Sequence, residues 1–258
     1  MNERVMALLA AAAALLALAS CAQAPGGSGP QAAAPPASCK LARAPDTLLS
    51  LARCCAESIA ANPSCRAYDA DAAYVIVRDN APDKPDAYLI IPVAPVTGIE
   101  DAQIFAPPVR DYWQYGWAAA ARFVGVPPAA TALAINSTTG RTQNQLHIHI
   151  SCVRPDVAAA LVRARIGTDP ARPTTLPLGP DGHRYTALRV RALGGDASPF
   201  LRVAAEPGAR ADMKDQSIAV IGTDSPDVWD VVDTRAGGGN PGAAEELLDQ
   251  SCGGGAKG

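Results

Sequence analysis

Apolar and polar residues alternate strictly over residues 145–151, near the middle of the chain. Successive side chains of a β-strand point to opposite faces, so this pattern predicts a strand with one apolar face. The residues predicted to face the core are Leu146, Ile148 and Ile150. The residues predicted to share the other face in one row are Gln145, His147, His149 and Ser151. The sequence therefore places a pair of histidines about 6 to 7 Å apart on one side of a strand.

Further strands are predicted where β-branched and aromatic residues cluster between turn-forming residues. These runs cover residues 74–77, 88–91, 132–135, 185–190 and 217–221. The segment 80–86 contains Pro82 and Pro85 and separates the first pair of runs, which indicates a hairpin with a long loop.

Helices are predicted where apolar residues recur at helical spacing. These segments are residues 47–61, 110–123, 155–165 and 199–205. Together the patterns predict an α+β fold. We expect an antiparallel sheet with the 145–151 strand near its centre, flanked by the helices of 47–61 and 110–123, with additional C-terminal strands.

The N-terminus has the pattern of an export signal. Residues 5–19 are apolar, and about 15 residues are too few to span a bilayer core of roughly 30 Å. Residues 1–20 are therefore predicted to be a signal peptide. The sequence Leu18-Ala19-Ser20-Cys21 resembles a bacterial lipobox, which would leave Cys21 as a lipidated N-terminus. The alternatives are an ordinary signal peptide cut near Ala24 and an uncleaved anchor.

The domain organisation follows from composition. Residues 22–37 hold no charge and are rich in Ala, Pro and Gly, so we predict a flexible tether over residues 21–45. Residues 46–252 are predicted to form a single catalytic domain, and the Gly-rich residues 253–258 a disordered tail. The prediction is an exported protein anchored in a membrane through a lipid at Cys21, on the periplasmic side of a bacterial envelope.

Length and charge exclude some classes of protein. The chain has 258 residues, of which 48% are hydrophobic, enough to bury a sizeable core. Its formal net charge is −3. Nucleic-acid binding proteins usually carry a basic field that attracts phosphates, so we expect no nucleic-acid partner. The sequence does not indicate an oligomeric state.

Cysteines in an exported chain favour disulfides. With Cys21 used for lipid, six cysteines remain, which allow fifteen pairings. We predict Cys55–Cys65, which closes a short loop through Pro63, and Cys152–Cys252, which joins the C-terminus to the central strand. Cys39–Cys54 is left by elimination. No C-x-x-C pair occurs, so a zinc ribbon or a thioredoxin-type redox site is not expected.

Two histidines on one strand face allow several kinds of chemistry. An imidazole can attack phosphorus while its neighbour orients the substrate or transfers a proton. A His-x-His pair can also bind zinc or copper. The third interpretation is a pair of polar groups on a solvated face. The residues alone leave these alternatives open.

The residues that precede the histidines carry a family resemblance. The segment Thr139-Gly140-Arg141-Thr142-Gln143-Asn144-Gln145-Leu146-His147-Ile148-His149-Ile150 resembles the signature of the histidine-triad superfamily of nucleotide hydrolases and transferases. The longer run from Ala134 to Asp156 is similar to the CDP-diacylglycerol pyrophosphatase family. Further similar segments are Gly98-Ile99-Glu100, Gly182-His183-Arg184-Tyr185, Ser198-Pro199-Phe200 and Cys252.

This resemblance implies a histidine-triad-like fold and the hydrolysis of CDP-diacylglycerol to CMP and phosphatidate. It implies that His147 is the nucleophile, which forms a CMP–histidine intermediate, and that His149 lies next to the phosphate. Gln145 takes the first position of the triad, where the superfamily has histidine, and can still donate and accept hydrogen bonds. No metal or other cofactor is implied. A substrate that stays in the bilayer favours the inner membrane over the outer one.

Donors around the histidines are the candidate substrate-binding groups. A guanidinium can hold phosphate oxygens through paired hydrogen bonds, so Arg141 is expected to bind the diphosphate. The other candidates are Thr142, Asn144, Asn136 and the backbone at Gly140. Two alternative functions remain open: a histidine-triad-type hydrolase or transferase acting on a soluble nucleotide, and a non-catalytic nucleotide-binding lipoprotein.

Overall fold

The computed structural model describes Cys39 and residues 47–253. The predicted signal peptide (1–20) and most of the predicted tether (21–45) and tail (253–258) lie outside the described residues. In the part of the chain that is described, no helix has both the length and the apolar character needed to cross a bilayer.

All four predicted helices and all six predicted strands are present, and four further strands were not predicted. The α-helices are α1 (Thr47–Glu57), α2 (Tyr112–Phe123), α3 (Pro155–Ala164) and α4 (Pro199–Ala204). The strands are β1 (Cys65–Asp69), β2 (Tyr74–Arg78), β3 (Tyr88–Pro92), β4 (Thr131–Ile135), β5 (Ile148–Val153), β6 (Thr174–Leu178), β7 (His183–Val190), β8 (Gln216–Gly222), β9 (Trp229–Arg235) and β10 (Leu248–Asp249). Short 3₁₀-helices lie at Ile59–Ala61, Ala102–Phe105, Val109–Asp111, Pro128–Ala130, Gly195–Ala197, Ala209–Asp215 and Ala244–Leu247.

These strands form one antiparallel sheet. Their order is β1-β2-β3-β5-β4-β8-β9-β7-β6, and β10 pairs with β5 off this path. The predicted α+β fold is confirmed, including the hairpin of β2 and β3 and the added C-terminal strands. Strand β5 lies between β3 and β4, well away from both edges of the sheet.

One face of β5 is packed under helix α2. Ile148 and Ile150 are fully buried in the same apolar cluster as Trp113 of that helix. Gly116 allows the helix to approach the sheet, because a Cβ at this position would lie 2.8 Å from Cδ2 of Leu133. Since side chains alternate along a strand, this packing leaves His149 on the opposite face of β5.

Strand β5 begins at Ile148, three residues later than predicted. Pro92 ends β3, and proline has no N–H to extend a ladder. The preceding segment is held by other contacts. The Leu146 N–H donates to the Val96 carbonyl at 2.6 Å, and the Gln145 side chain donates to the Pro92 and Ala94 carbonyls. Leu146 is therefore buried, as the alternation predicts, although the regular backbone hydrogen bonding of the strand starts only at Ile148.

All three predicted disulfides are confirmed: Cys39–Cys54, Cys55–Cys65 and Cys152–Cys252. The last of these joins β5 to a residue 100 positions further along the chain. Asp249 of β10 pairs with Cys152, and the Ser151 hydroxyl donates to the Asp249 carbonyl at 3.1 Å. The C-terminal segment is thus fixed beside the strand that carries His149.

Candidate active site

A cavity of about 350 Å³ opens beside the start of β5. Six of the eight predicted site residues line it. They are Asn136, Gly140, Arg141, Thr142, His147 and His149. Larger cavities of about 500 and 510 Å³ occur elsewhere among the described residues, but neither is lined by a histidine. The cavity with the histidine pair is therefore the candidate active site.

His147 is held in one tautomer by the backbone. Its Nδ1 lies 2.7 Å from the Gln145 carbonyl oxygen. Because a carbonyl only accepts a hydrogen bond, Nδ1 carries the proton and Nε2 carries the lone pair. Burial lowers the pKa of His147, although the bond to the carbonyl partly opposes this effect. The ring is therefore neutral near pH 7 and able to act as a nucleophile through Nε2.

His149 lies directly beside His147. The ring centroids are 5.0 Å apart and the ring planes meet at 70°. The His149 Nε2 is 3.1 Å from Oε2 of Glu245, a close contact that lacks the alignment of a hydrogen bond. Its Nδ1 is buried and has no hydrogen-bond partner among the described residues. Burial lowers the pKa of His149, so this ring is also neutral near pH 7.

Glu245 lines the cavity beside His149, and several donors hold its carboxylate. Asn136 Nδ2 donates to Oε2 at 2.9 Å, Gln250 Nε2 donates to Oε1 at 2.9 Å, and Lys84 Nζ donates to the same Oε1. Burial alone would raise the pKa of Glu245, but the hydrogen bonds from Lys84 and Gln250 and the charge of Lys84 hold that pKa below its usual range. The carboxylate is therefore ionised at neutral pH.

Asn136 links this acid to the loop that follows β4. Its Oδ1 accepts from the Glu245 N–H at 3.1 Å, and its Nδ2 contacts the Gly140 carbonyl at 3.3 Å as well as the carboxylate. The loop is fixed at Gly140, where a Cβ would lie 2.5 Å from the Gly242 carbonyl oxygen. Asn136 thus positions the Glu245 carboxylate, in addition to lining the cavity.

Gln145 points away from the cavity. Its buried Nε2 donates to the Pro92 carbonyl at 3.0 Å and to the Ala94 carbonyl at 2.9 Å. The side chain anchors the segment before β5 to the end of β3, while its backbone carbonyl orients His147. The structure therefore gives this residue a positioning role.

Arg141 is paired with Glu100. Nη1 lies 2.7 Å from Oε2 and Nη2 lies 2.5 Å from Oε1, and Nη2 also donates to the Asn144 side chain at 3.3 Å. The Arg141 side chain is only 5% exposed, and its Nε has no hydrogen-bond partner among the described residues. Asn144 does not line the cavity, whereas the exposed Thr142 does.

A second cluster surrounds His183, outside the cavity. Its Nδ1 lies 2.9 and 3.0 Å from the two carboxylate oxygens of Glu246, and the Tyr185 hydroxyl donates to Glu246 at 2.7 Å. Asp181, His183 and Glu246 bring ligand atoms within 4.8 Å of one another, a spacing that could hold a metal ion.

Comparison with known proteins decides the family. The family model for CDP-diacylglycerol pyrophosphatase matches residues 44–256, which is most of the chain. The chain belongs to the CDP-diacylglycerol pyrophosphatase family. Members of this family are hydrolases that act on a pyrophosphate bond, and the match includes every residue of the cavity described above.

Crystal structures of yeast Ap4A phosphorylase Apa2 are similar to this CDP-diacylglycerol pyrophosphatase family member. The complex with AMP has a TM-score of 0.41 and 16% identity, and the match covers 64% of this chain and 56% of that one. The complex with Ap4A has a TM-score of 0.41 and 14% identity, with 64% and 57% covered. The chain thus spans little more than half the length of that enzyme.

For this family member, sequence reasoning missed Glu245 and the two residues whose side chains donate to its Oε1, Lys84 and Gln250. It also missed Asp79, which lines the same cavity. Glu245 lies 96 positions after His149, in a segment with little regular structure, so no local pattern links them. The predicted Cys152–Cys252 disulfide was the available signal. It brings the C-terminal segment to β5, and the acids of that segment could have been expected near the histidines.

Proposed function

We propose that this protein hydrolyses CDP-diacylglycerol to CMP and phosphatidate through a covalent CMP–histidine intermediate on His147. The observation that carries the proposal is the 2.7 Å contact between His147 Nδ1 and the Gln145 carbonyl. It fixes the proton on Nδ1 and leaves the Nε2 lone pair for attack, in a cavity of a chain that belongs to a pyrophosphatase family. Covalent catalysis divides one difficult displacement into two easier ones.

In the first step, Nε2 of His147 attacks the phosphorus of the CMP moiety. The bond between that phosphorus and the bridging oxygen of the diphosphate breaks, and its electron pair leaves with phosphatidate. The leaving group is a stable phosphate monoester. The proton stays on Nδ1, and its hydrogen bond to the Gln145 carbonyl oxygen offsets the positive charge that the phosphorylated ring acquires.

In the second step, water attacks the same phosphorus and the bond to His147 Nε2 breaks. The electron pair of that bond returns to the ring, which restores the starting tautomer. The water loses one proton to a base in the cavity, and CMP is released.

Donors around the cavity are available for the charge on the phosphate oxygens. Arg141 contributes a guanidinium whose Nε–H has no hydrogen-bond partner in the described part of the chain, and Thr142 contributes a hydroxyl. Groups that are already oriented before the reaction stabilise a developing oxyanion most effectively. Glu100 provides that orientation for Arg141 by holding both terminal nitrogens.

The test is product analysis with the full-length protein in detergent. Wild type, His147→Ala and the control His183→Ala are incubated with CDP-diacylglycerol, and CMP and phosphatidate are quantified. We expect both products from wild type and from His183→Ala, and a loss of at least about 10³-fold with His147→Ala. When the wild-type reaction is stopped early and without acid, CMP should be found covalently bound to the protein. Unchanged turnover by His147→Ala would overturn the proposal.

A parallel reaction with a water-soluble cytidine diphosphate ester separates the alternatives. Preference for the lipid supports the proposed substrate, whereas preference for the soluble ester favours a nucleotide hydrolase of the same fold. Binding of CMP without turnover of either compound would favour a non-catalytic nucleotide-binding protein.

We also propose that lipid on Cys21 anchors the protein on the periplasmic side of the inner membrane. The support is the Leu18-Ala19-Ser20-Cys21 sequence after an apolar segment. An anchor of this kind would keep the protein at the surface where a bilayer substrate is found. Labelled fatty acid should enter wild type but not Cys21→Ala, and the label should fractionate with inner-membrane markers. An unlabelled wild type would contradict the lipid anchor.

A further inference from the structure

Glu245 contacts the histidine that the proposed first step leaves unused. Its Oε2 is 3.1 Å from Nε2 of His149, and the His149 side chain is 7% exposed. The other nitrogen of that ring, Nδ1, is buried without a hydrogen-bond partner among the described residues. A buried ring nitrogen without a partner is uncommon and calls for a ligand or a reacting group to complete it.

The Glu245 carboxylate is fixed in place from several directions. Asn136 donates to the oxygen that faces His149, while Lys84 and Gln250 donate to the other oxygen. The backbone of Glu245 is held as well, through its N–H to Asn136 Oδ1. The carboxylate is therefore held in a fixed orientation beside His149, which suits a group that acts through its neighbour.

We propose that Glu245 is a positioning residue that makes His149 the general base of the second step. This inference rests on the proposed function. Water forms a bond to the phosphorus as the bond from phosphorus to His147 Nε2 breaks, and the proton of the water moves to His149 Nδ1. Nε2 of the resulting imidazolium donates its proton toward Glu245, which offsets the new positive charge. The proton on Nδ1 then passes to solvent as CMP leaves.

The geometry supports this division of roles. The ring centroids of His147 and His149 are 5.0 Å apart and both residues line the cavity, so both side chains can face one phosphate group. The contact between His149 and Glu245 is close but imperfectly aligned, and catalytic hydrogen bonds commonly tighten when the substrate binds. A buried carboxylate that orients a histidine and stabilises its imidazolium has the same part in serine hydrolases.

The test compares adjacent carboxylates. Glu245→Gln removes the charge beside His149, whereas the control Glu246→Gln alters a carboxylate that faces His183 and Tyr185. Phosphatidate and CMP are followed separately in single-turnover reactions with full-length protein. In Glu245→Gln we expect phosphatidate release within about threefold of wild type, CMP release slowed about 10²-fold, and accumulation of CMP–protein. Glu246→Gln should release both products together, as wild type does.

The outcomes are distinguishable. If wild type releases neither product, the proposed function fails before the inference is reached. If wild type is active and folded Glu245→Gln releases CMP without accumulating CMP–protein, Glu245 does not act on the second step. Thermal melts check folding of each variant. Should Glu245→Gln fail to fold, Glu245→Asp keeps the charge for Lys84 and Asn136 but shortens the reach to His149. The Glu245→Asp variant must then accumulate CMP–protein, and the absence of this accumulation would overturn the inference.

Discussion

The guanidinium of Arg141 and the carboxylate of Glu100 form a paired contact, with N–O distances of 2.7 and 2.5 Å. Gly98 lies against this pair, since a Cβ on it would fall 2.4 Å from Arg141 Nη1. The segment Gly98-Ile99-Glu100, which resembles the family but has no nucleophile, therefore contributes both the partner and the space for Arg141. Its role in the site is to set the position of one cation.

Gly98→Ala should lower activity with little loss of stability. The added methyl displaces the far end of a flexible side chain, so the cost in folding free energy is small, but the guanidinium loses its position. A charge-assisted hydrogen bond contributes about 1.5–3 kcal/mol, so we expect kcat/KM for CDP-diacylglycerol to fall about tenfold or more. Steady-state kinetics and a thermal melt provide the measurement. Gly167→Ala is the matched control, because no atom lies within 4 Å of its Cβ position.

Gly140→Ala should instead destabilise the protein. Here the Cβ would meet backbone, 2.5 Å from the Gly242 carbonyl oxygen and 3.1 Å from the Ala243 Cα, and neither neighbour can rotate away. Overpacking of this kind costs about 1–3 kcal/mol. For a domain of this size, a loss of 2 kcal/mol lowers Tm by about 4–8 °C. A thermal melt of Gly140→Ala that matches Gly167→Ala would show that the loop accommodates the methyl group.

The sequence predicted the parts of the fold whose pattern is local. The alternation around Ile148 and the β-branched runs identified the central strands because each has a buried apolar face. Strand β9 was missed, since Asp230 and Asp233 interrupt its apolar residues. Both acids are buried in ion pairs, with Arg189 and Arg202 respectively, and such distant partners cannot be recognised from a local window.

The candidate site likewise has a part that the sequence predicted and a part that it did not. His147, His149 and the loop before them are close in sequence and were predicted together, and the structure brings most of them to one cavity. Glu245 and Lys84 were not predicted, because only the folded sheet and the Cys152–Cys252 disulfide bring these segments together. The family resemblance includes Glu100, but its pairing with Arg141 cannot be predicted from the sequence.

Replacing Gln145 with histidine should reduce the stability of the protein less than replacing it with glutamate. Glutamine donates to the Pro92 and Ala94 carbonyls, whereas a carboxylate has no hydrogen to donate and would be repelled by both oxygens. Leaving buried acceptors unpaired costs about 1–3 kcal/mol each, so Gln145→Glu should lose at least about 2 kcal/mol of unfolding free energy. Its kcat should fall too, because the Gln145 carbonyl orients His147. Gln145→His keeps a ring donor, and equal stability of the two variants by urea denaturation would contradict this account.

Acid should destabilise the protein through its buried histidines. Burial holds the pKa values of His147 and His149 below the usual 6.5, so below that pH the unfolded chain binds more protons than the folded protein. The contribution of these two histidines to the unfolding free energy must therefore fall as pH falls below about 6.5, by up to about 1.4 kcal/mol per pH unit for each histidine. The charged and titratable groups that face His149 are Glu245, His147 and Lys84.

Comparison of wild type with His149→Gln isolates this contribution. Asp233 acts in the opposite direction, since burial raises its pKa to about 7, but its contribution is present in both proteins and cancels in the difference. The stability of His149→Gln relative to wild type should therefore rise as the pH is lowered from 7 to 5. Urea denaturation at several pH values provides the measurement. A difference that stays constant over this range would mean that His149 takes up its proton as readily in the folded protein as in the unfolded chain.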